Sequence, residues 1–293
     1  MEIGILGAGI DGLLAAHAAV QSGHHVVIYA DEEQPYVICG ARAHLVERDI
    51  PYITDSFEQA VLIAIRPQDK VADSIQALDF HEAYRAKVFG PEDAEFYMDG
   101  FMLTELSDCS SLIKAYNAQN VYSTLFEIYS SHIHYQWVTP KWYAKTNVRH
   151  DHDIIINTLD GEKWCIGNER REKSHIFSRS FFWYTNYAPF GPVQQNVILL
   201  DASDDVQHYL QANLFGKWIV EWPHDKRPPP LDSLYIGTRP LGTDCDCQKT
   251  YDFINIGQMA QWNHSKKIHD SYYNTIDFIE QYQMPPIQLD LGI

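Results

Sequence analysis

The sequence predicts an α/β protein: a parallel strand–helix–strand unit opens the chain, a mainly antiparallel β block follows, and a helix closes it. Three stretches carry this expectation. Glu2 to Tyr29 reads as strand, glycine turn, helix and strand. Trp164 to Trp222 is rich in aromatic and β-branched residues and is punctuated by Pro and Gly. From Asn263 or Ser265 to Tyr282, Ile268, Tyr272, Ile276 and Ile279 recur at helical spacing.

Taken in order, Glu2–Leu6 is short and apolar enough for a buried strand. Gly9–Gln21 has the helical period, with Leu13, Ala16 and Val20 and the small Ala15, Ala18 and Ala19 facing a sheet. Gly23 ends that helix, and His25–Tyr29 forms the next strand, with Ala30 at its tip. Tyr36 to about Thr54 is irregular, Val61–Ile65 reads as a strand, and Phe80–Val88 as a short helix closed by Gly90-Pro91. Ser111–Tyr129 reads as a longer helix, because Leu112, Ala115, Ala118, Tyr122, Leu125 and Tyr129 fall on one stripe. Tyr135–Val138 and Ile154–Asn157 follow as strands, the second ended by an Asp160-Gly161 turn. The Pro228-Pro229-Pro230 run is a stiff connector, and Asn263 or Ser265 can cap the last helix.

The bulk numbers narrow the function classes. The chain has 293 residues, 45% of them hydrophobic and 13% aromatic, which suits a folded protein of two domains or of one with a large insertion. A formal charge of −17, with no basic run beyond Arg170-Arg171 and Lys266-Lys267, argues against nucleic acid as a partner, since phosphate neutralisation needs clustered Lys and Arg. No apolar run approaches the roughly 20 residues of a membrane span, so a cytoplasmic protein without a membrane partner is expected. The five cysteines, Cys39, Cys109, Cys165, Cys245 and Cys247, lack the regular spacing of a disulfide framework. Cys245-Asp246-Cys247 can recruit a metal, yet no second Cys or His pair stands at zinc-finger spacing, so a loop with two thiols and no metal is expected. In the run His150-Asp151-His152-Asp153 alternate residues would point to opposite faces; it reads as a polar approach to a strand.

The chemistry concentrates at Gly7-Ala8-Gly9-Ile10-Asp11-Gly12, a GxGxxG between a strand and an Ala-rich helix. Gly7 permits the tight turn, Gly9 lets backbone approach a pyrophosphate, and Gly12 lets helix and strand pack closely. Free amides and the positive end of the helix dipole meet the phosphate charge. Such a site usually places an acid at the tip of the second strand to hold the ribose hydroxyls. Ala30 stands at that tip and the acids begin at Asp31, so either Asp31 reaches the ribose from just past the strand or recognition there is weakened.

The run GAGIDGLLAAHAAVQSGHHVVIYA resembles the FAD-binding glycine loop of the glutathione-reductase-like flavoproteins, the group that includes amine oxidases and UDP-galactopyranose mutase. DIIINTLDG, YRAKVFG and FINIGQMAQWNHSKKIHDSYYNTIDFI are similar to pieces of the mutase-like branch. The resemblance implies a Rossmann-like FAD-binding domain with a parallel sheet, plus an inserted, mainly antiparallel β substrate domain. The implied division is 1–65, first part of the FAD domain; 66–110, an inserted cap segment; 111–160, its middle part; 161–244, the substrate domain; and 245–293, the C-terminal return. FAD is the implied cofactor. Gly7, Ala8, Gly9, Ile10, Asp11, Gly12, Ala30 and Asp31 would face its ADP half, and Gly257, Gln258 and Met259 its ring.

In a mutase-like site arginines hold the nucleotide-sugar diphosphate bidentately, and the resemblance makes Arg179 and Arg239 the candidates for that role; the alternative is surface salt bridging in an acid-rich protein. Trp262 can stack on a ligand or belong to the core. His264 can act as acid or base near neutral pH, or stand at a helix N-terminus. The expected activity is an FAD-dependent oxidoreductase that moves a hydride from a small-molecule or nucleotide-linked substrate to flavin. The alternatives are a flavin-dependent UDP-sugar mutase and a cofactor-free binding or scaffold protein of the same fold. A homo-oligomer is left open.

Overall fold

The computed structural model describes residues 1–31, 43–45, 49–51, 53, 57–65, 77–89, 110–165, 175–186, 195–203, 206–214, 216–226, 228, 234–263, 266 and 268–283. Two sheets organise them. The first is five-stranded and parallel. Its strands are β1 (Glu2–Leu6), β2 (His25–Ala30), β6 (Ile133–Tyr135), β7 (Ile154–Asn157) and β13 (Ile254–Asn255), in the order β13-β7-β1-β2-β6. Ile3 lies opposite Val26 on one side and Ile154 on the other. Four of the five residues of β1 are buried, as befits a strand covered on both faces.

Helix α1 (Ile10–Gln21) covers one face. Its Leu13, Leu14, Ala15, Ala16, Ala18 and Ala19 are fully buried; the four alanines let the helix lie close to its neighbours. It packs against α3 (Ala118–Tyr129) and α7 (Ile268–Gln283). His17 is the buried polar exception. Its Nε2 lies 2.9 Å from the Pro51 carbonyl, which can only accept, so Nε2 donates and Nδ1 accepts from Tyr129 Oη at 2.8 Å. Burial lowers its pKa and keeps this neutral form.

The second sheet has eight strands in the order β12-β8-β11-β10-β9-β4-β5-β3. These are β3 (Ala43–Leu45), β4 (Phe57–Ile65), β5 (Ser110–Asn117), β8 (Phe177–Thr185), β9 (Val197–Asp201), β10 (Leu210–Leu214), β11 (Lys217–Pro223) and β12 (Tyr235–Thr243). All neighbours are antiparallel except β4 and β9. Helix α2 (Ala77–Phe89) lays Phe80, Tyr84, Val88 and Phe89 on it, against Phe182, Leu200, Tyr209, Leu214 and Ile219. The α/β class with a parallel sheet and a mainly antiparallel one is the expected architecture.

Three local expectations are corrected. Ser111–Tyr129 is not one helix: Ser110–Asn117 is a strand paired with β4, and the helix starts at Ala118. The side chain of Asn117 caps that start by accepting from Asn120 N at 3.2 Å. Pairing with a neighbouring strand overrode a stripe that fitted the helical period. The strand expected at Tyr135–Val138 lies at Ile133–Tyr135, because Thr139 and Pro140 start helix α4 (Pro140–Lys145), with Thr139 Oγ1 accepting from Trp142 N. Lastly, the strand expected at Val61–Ile65 is longer, Phe57–Ile65, and stands beside Ser110–Asn117 in the second sheet. A local pattern marks a strand but does not say which sheet receives it.

Candidate functional site

The carboxyl ends of β1, β7 and β13 converge on the first turn of α1, the place where open α/β sheets bind ligands. Gly7 turns there with φ +109°, and its N–H donates to the Tyr29 carbonyl at 2.8 Å. A Cβ on Gly12 would stand 2.0 Å from the Gly7 carbonyl oxygen, so only glycine lets the helix meet the turn. Thr158 Oγ1 closes the floor by donating to the Leu6 carbonyl at 2.9 Å.

Gly9 differs from its neighbours. It is the N-cap of α1, has φ −70° and ψ 179°, and makes no side-chain cap bond. A Cβ there would meet nothing within 4 Å among the described residues. The fold around it gives no reason for glycine, whereas a ligand lying against the backbone would.

Asp11 links this mouth to the late glycine bend. Ser271 Oγ donates to its Oδ1 at 2.6 Å, the backbone N–H of Gln258 donates to the carboxylate, and a Cβ on Gly257 would fall 2.5 Å from Oδ2. Gly257, at φ +96°, caps the short helix α6 (Gln258–Gln261). The glycine loop and the bend at Gly257, Gln258 and Met259 are thus brought together. Desolvation is the main cause raising the Asp11 pKa to about 6 from 3.8, with the two hydrogen bonds working against it. A raised acid pKa means that the folded state holds its proton more tightly. Stability is therefore highest below about pH 4 as far as this group is concerned, and declines as the pH climbs to about 6, by at most about 3 kcal/mol. Asp11→Asn is expected to remove that slope. Urea unfolding of both forms across the window checks it, and parallel curves would contradict it.

Asp31 leaves the tip of β2 with Oδ1 accepting from Val138 N at 3.0 Å and Oδ2 3.6 Å from Lys163 Nζ. It ties the tip of β2 to the segment after β6 and to the turn after β7, and remains half-exposed beside the position an acid would take. Ala30 is buried, and its carbonyl accepts from Gln136 N at 2.6 Å.

Other candidates stand elsewhere. Trp262 is 2% exposed, with Nε1 donating to the Ser178 carbonyl at 2.9 Å and Phe177 edge-on at 5.0 Å. It joins the bend to β8 through that hydrogen bond and the Phe177 contact. Arg179 pairs with Glu162 and lies 5.1 Å from the Trp262 ring. Arg239 lies on β12 of the second sheet, its side chain 12% exposed, where its Nη2 donates to Glu221 Oε2 and Tyr209 Oη, both at 2.6 Å. His264 lies outside the described residues. The His150–Asp153 run enters helix α5 (Val148–Asp151) and a turn, where His152 Nδ1 bonds the Val148 carbonyl at 2.8 Å and Asp153 accepts from Glu2 N. Ser271 and Thr158, both in contact with the glycine loop, carry no sequence signal; distant pairing alone places them.

Among the described residues no helix is long and apolar enough to cross a membrane. No protein-family model matches the chain, and no curated protein matches it in sequence. By structure it has the fold of Rossmann-type flavoproteins. It is similar to 2,6-dihydroxypyridine-3-hydroxylase from Arthrobacter nicotinovorans, with TM-score 0.52 and 10% identity over 96% of this chain and 82% of that one. A flavin-dependent halogenase from Xanthomonas campestris matches at TM-score 0.50 and 9% identity, over 98% of this chain and 72% of that one. An HpxO variant from Klebsiella pneumoniae, complexed with FAD, matches at TM-score 0.50 and 11% identity, over 98% and 82%.

Proposed function

We propose that the chain binds FAD and is an oxidoreductase acting on a small molecule. The observation that carries this is Gly9, a glycine at a helix mouth without a side-chain cap, whose Cβ position meets nothing among the described residues, in a fold shared with an FAD complex. Amides of the first turn of α1 hold the diphosphate there, with the helix dipole adding to the attraction. Asp31 meets the ribose from just past β2, and the bend Gly257-Gln258-Met259 borders the ring. The chemistry that bound FAD supplies is the removal of a hydride from a substrate carbon, with oxygen or another acceptor taking the electrons onward. The similar hydroxylase and halogenase make a small-molecule substrate the better reading over a nucleotide-linked one. The mutase alternative loses support because Arg239 is buried against Glu221 and Arg179 is paired with Glu162.

Two observations favour a second reading, a cofactor-free binding protein. Asp11 sets a carboxylate at the helix mouth, and both oxygens of Asp31 already have protein partners. FAD separates the two. Purified protein is expected to be yellow, and FAD at a hundredfold excess over Kd to stabilise the stripped protein by about 2.7 kcal/mol, roughly 5 °C in Tm. Colourless protein that shows no shift with added FAD overturns the first reading and leaves the second.

A further inference from the structure

Three segments, two of them ten residues apart and the third about seventy residues further on, bring Cys165, His175, Cys245 and Cys247 together, with one ligand atom of each within 4.8 Å of all the others. Cys165 is buried and follows the 3-10 turn Gly161–Trp164, whose start Asp160 caps by accepting from Glu162 N at 2.9 Å. His175 stands two residues before β8. Cys245 and Cys247 follow β12, whose pairing with β8 ends at Thr243 opposite Phe177. Hydrogen bonds fix the two loops to each other. Ile176 N donates to Asp244 Oδ1 at 2.7 Å, Thr243 Oγ1 donates to the Ile176 carbonyl at 2.8 Å, and Cys245 N donates to Thr243 Oγ1 at 3.0 Å.

The donor geometry is that of a metal shell. Nδ1 of His175 lies 3.2 Å from Cys165 Sγ and 3.4 Å from Cys247 Sγ. One imidazole nitrogen carries either one proton or one lone pair, so it cannot serve two thiols equally as a hydrogen-bond partner. A tetrahedral ion at about 2.3 Å from sulfur and 2.0–2.1 Å from nitrogen sets the S···N edge near 3.5 Å, within a few tenths of both distances. Three thiols and one imidazole form a soft donor set suited to zinc, and four protein ligands leave no open position for substrate.

We propose that Cys165, His175, Cys245 and Cys247 bind one structural Zn²⁺, which fastens the turn after β7 to the loops at the β8–β12 end of the second sheet. The Cys-x-Cys pair read as an isolated loop in the sequence is half of this site, and the fold supplies the other half. The proposal is independent of flavin binding.

Full-length protein purified with Zn²⁺ in the medium is expected to hold about one zinc per chain by elemental analysis. Replacement by Co²⁺ is expected to give the intense visible bands and thiolate-to-metal charge transfer of a tetrahedral thiolate site. Cys165→Ser and Cys247→Ser should lose the bound zinc, while Cys39→Ser and Cys109→Ser should keep it. Should the first two variants fail to fold, the Co²⁺ spectrum of the wild type decides. Zinc-free reduced protein with no tetrahedral Co²⁺ spectrum overturns the proposal, as does a disulfide among Cys165, Cys245 and Cys247 in freshly purified protein, or retention of zinc by Cys165→Ser.

Discussion

Arg239→Leu, with Glu221 left in place, is expected to destabilise the protein by about 3–5 kcal/mol, while Arg239→Leu combined with Glu221→Leu recovers most of the loss. Arg239 and Glu221 have side chains only 12% and 8% exposed. The guanidinium lies 3.8 Å from the centre of the Phe182 ring and donates to Glu221 and to Tyr209, which itself donates to Glu221 at 2.8 Å. Taking away the cation leaves a buried carboxylate with one hydroxyl for a partner, a large desolvation penalty with little to offset it. Taking away both charges leaves apolar groups in an apolar core. Denaturant unfolding of the two variants measures the difference. A stable Arg239→Leu protein with weakened substrate binding would return Arg239 to the ligand-clamping role that its residue type suggests.

Gly12→Ala and Gly9→Ala are expected to diverge, though both alter the same loop by one methyl group. At Gly12 the new carbon meets a backbone oxygen at 2.0 Å, and neither α1 nor the Gly7 turn can retreat without uncoupling the helix from the sheet. A loss above about 3 kcal/mol, or failure to fold, is the expected result. At Gly9 the dihedrals are ordinary and the space is empty among the described residues. Reduced unfolded-state entropy favours alanine there, while alanine is the poorer N-cap, so the net change should stay within about 1 kcal/mol. Thermal unfolding of the apo proteins separates a glycine kept for packing from one kept for a ligand.

The first unit was legible because its signals are local. β1, α1 and β2 each carry their own period, and the Gly7 and Gly23 turns mark the joints between them. β7, α2 and the strands Phe177–Thr185, Val197–Asp201 and Lys217–Pro223 were legible for the same reason. What failed depended on distant partners. Ser110–Asn117 could satisfy a helical stripe, and its pairing with Phe57–Ile63 on one side and Ala43–Leu45 on the other made it a strand. For Trp262 and Arg239 the sequence left a ligand role and a packing or salt-bridge role side by side, because burial decides between them and tertiary packing sets burial. Asp11 entered the candidate set as part of the glycine motif; its tie to Ser271 and Gln258 appears only when the chain's two ends meet. The Cys and His quartet escaped because its four members follow no motif spacing: β8–β12 pairing brings His175 to Cys245 and Cys247, and Cys165 comes from the turn after β7.

FAD titration of Gly9→Ala beside the wild type, both stripped of flavin, tests the central claim most directly. The two are expected to unfold at nearly the same temperature, the wild type to bind FAD, and the variant to bind it at least about tenfold more weakly, since an added methyl group bars the diphosphate from the backbone amides. Equal FAD affinity in the two proteins, or no binding by the wild type, would contradict the account.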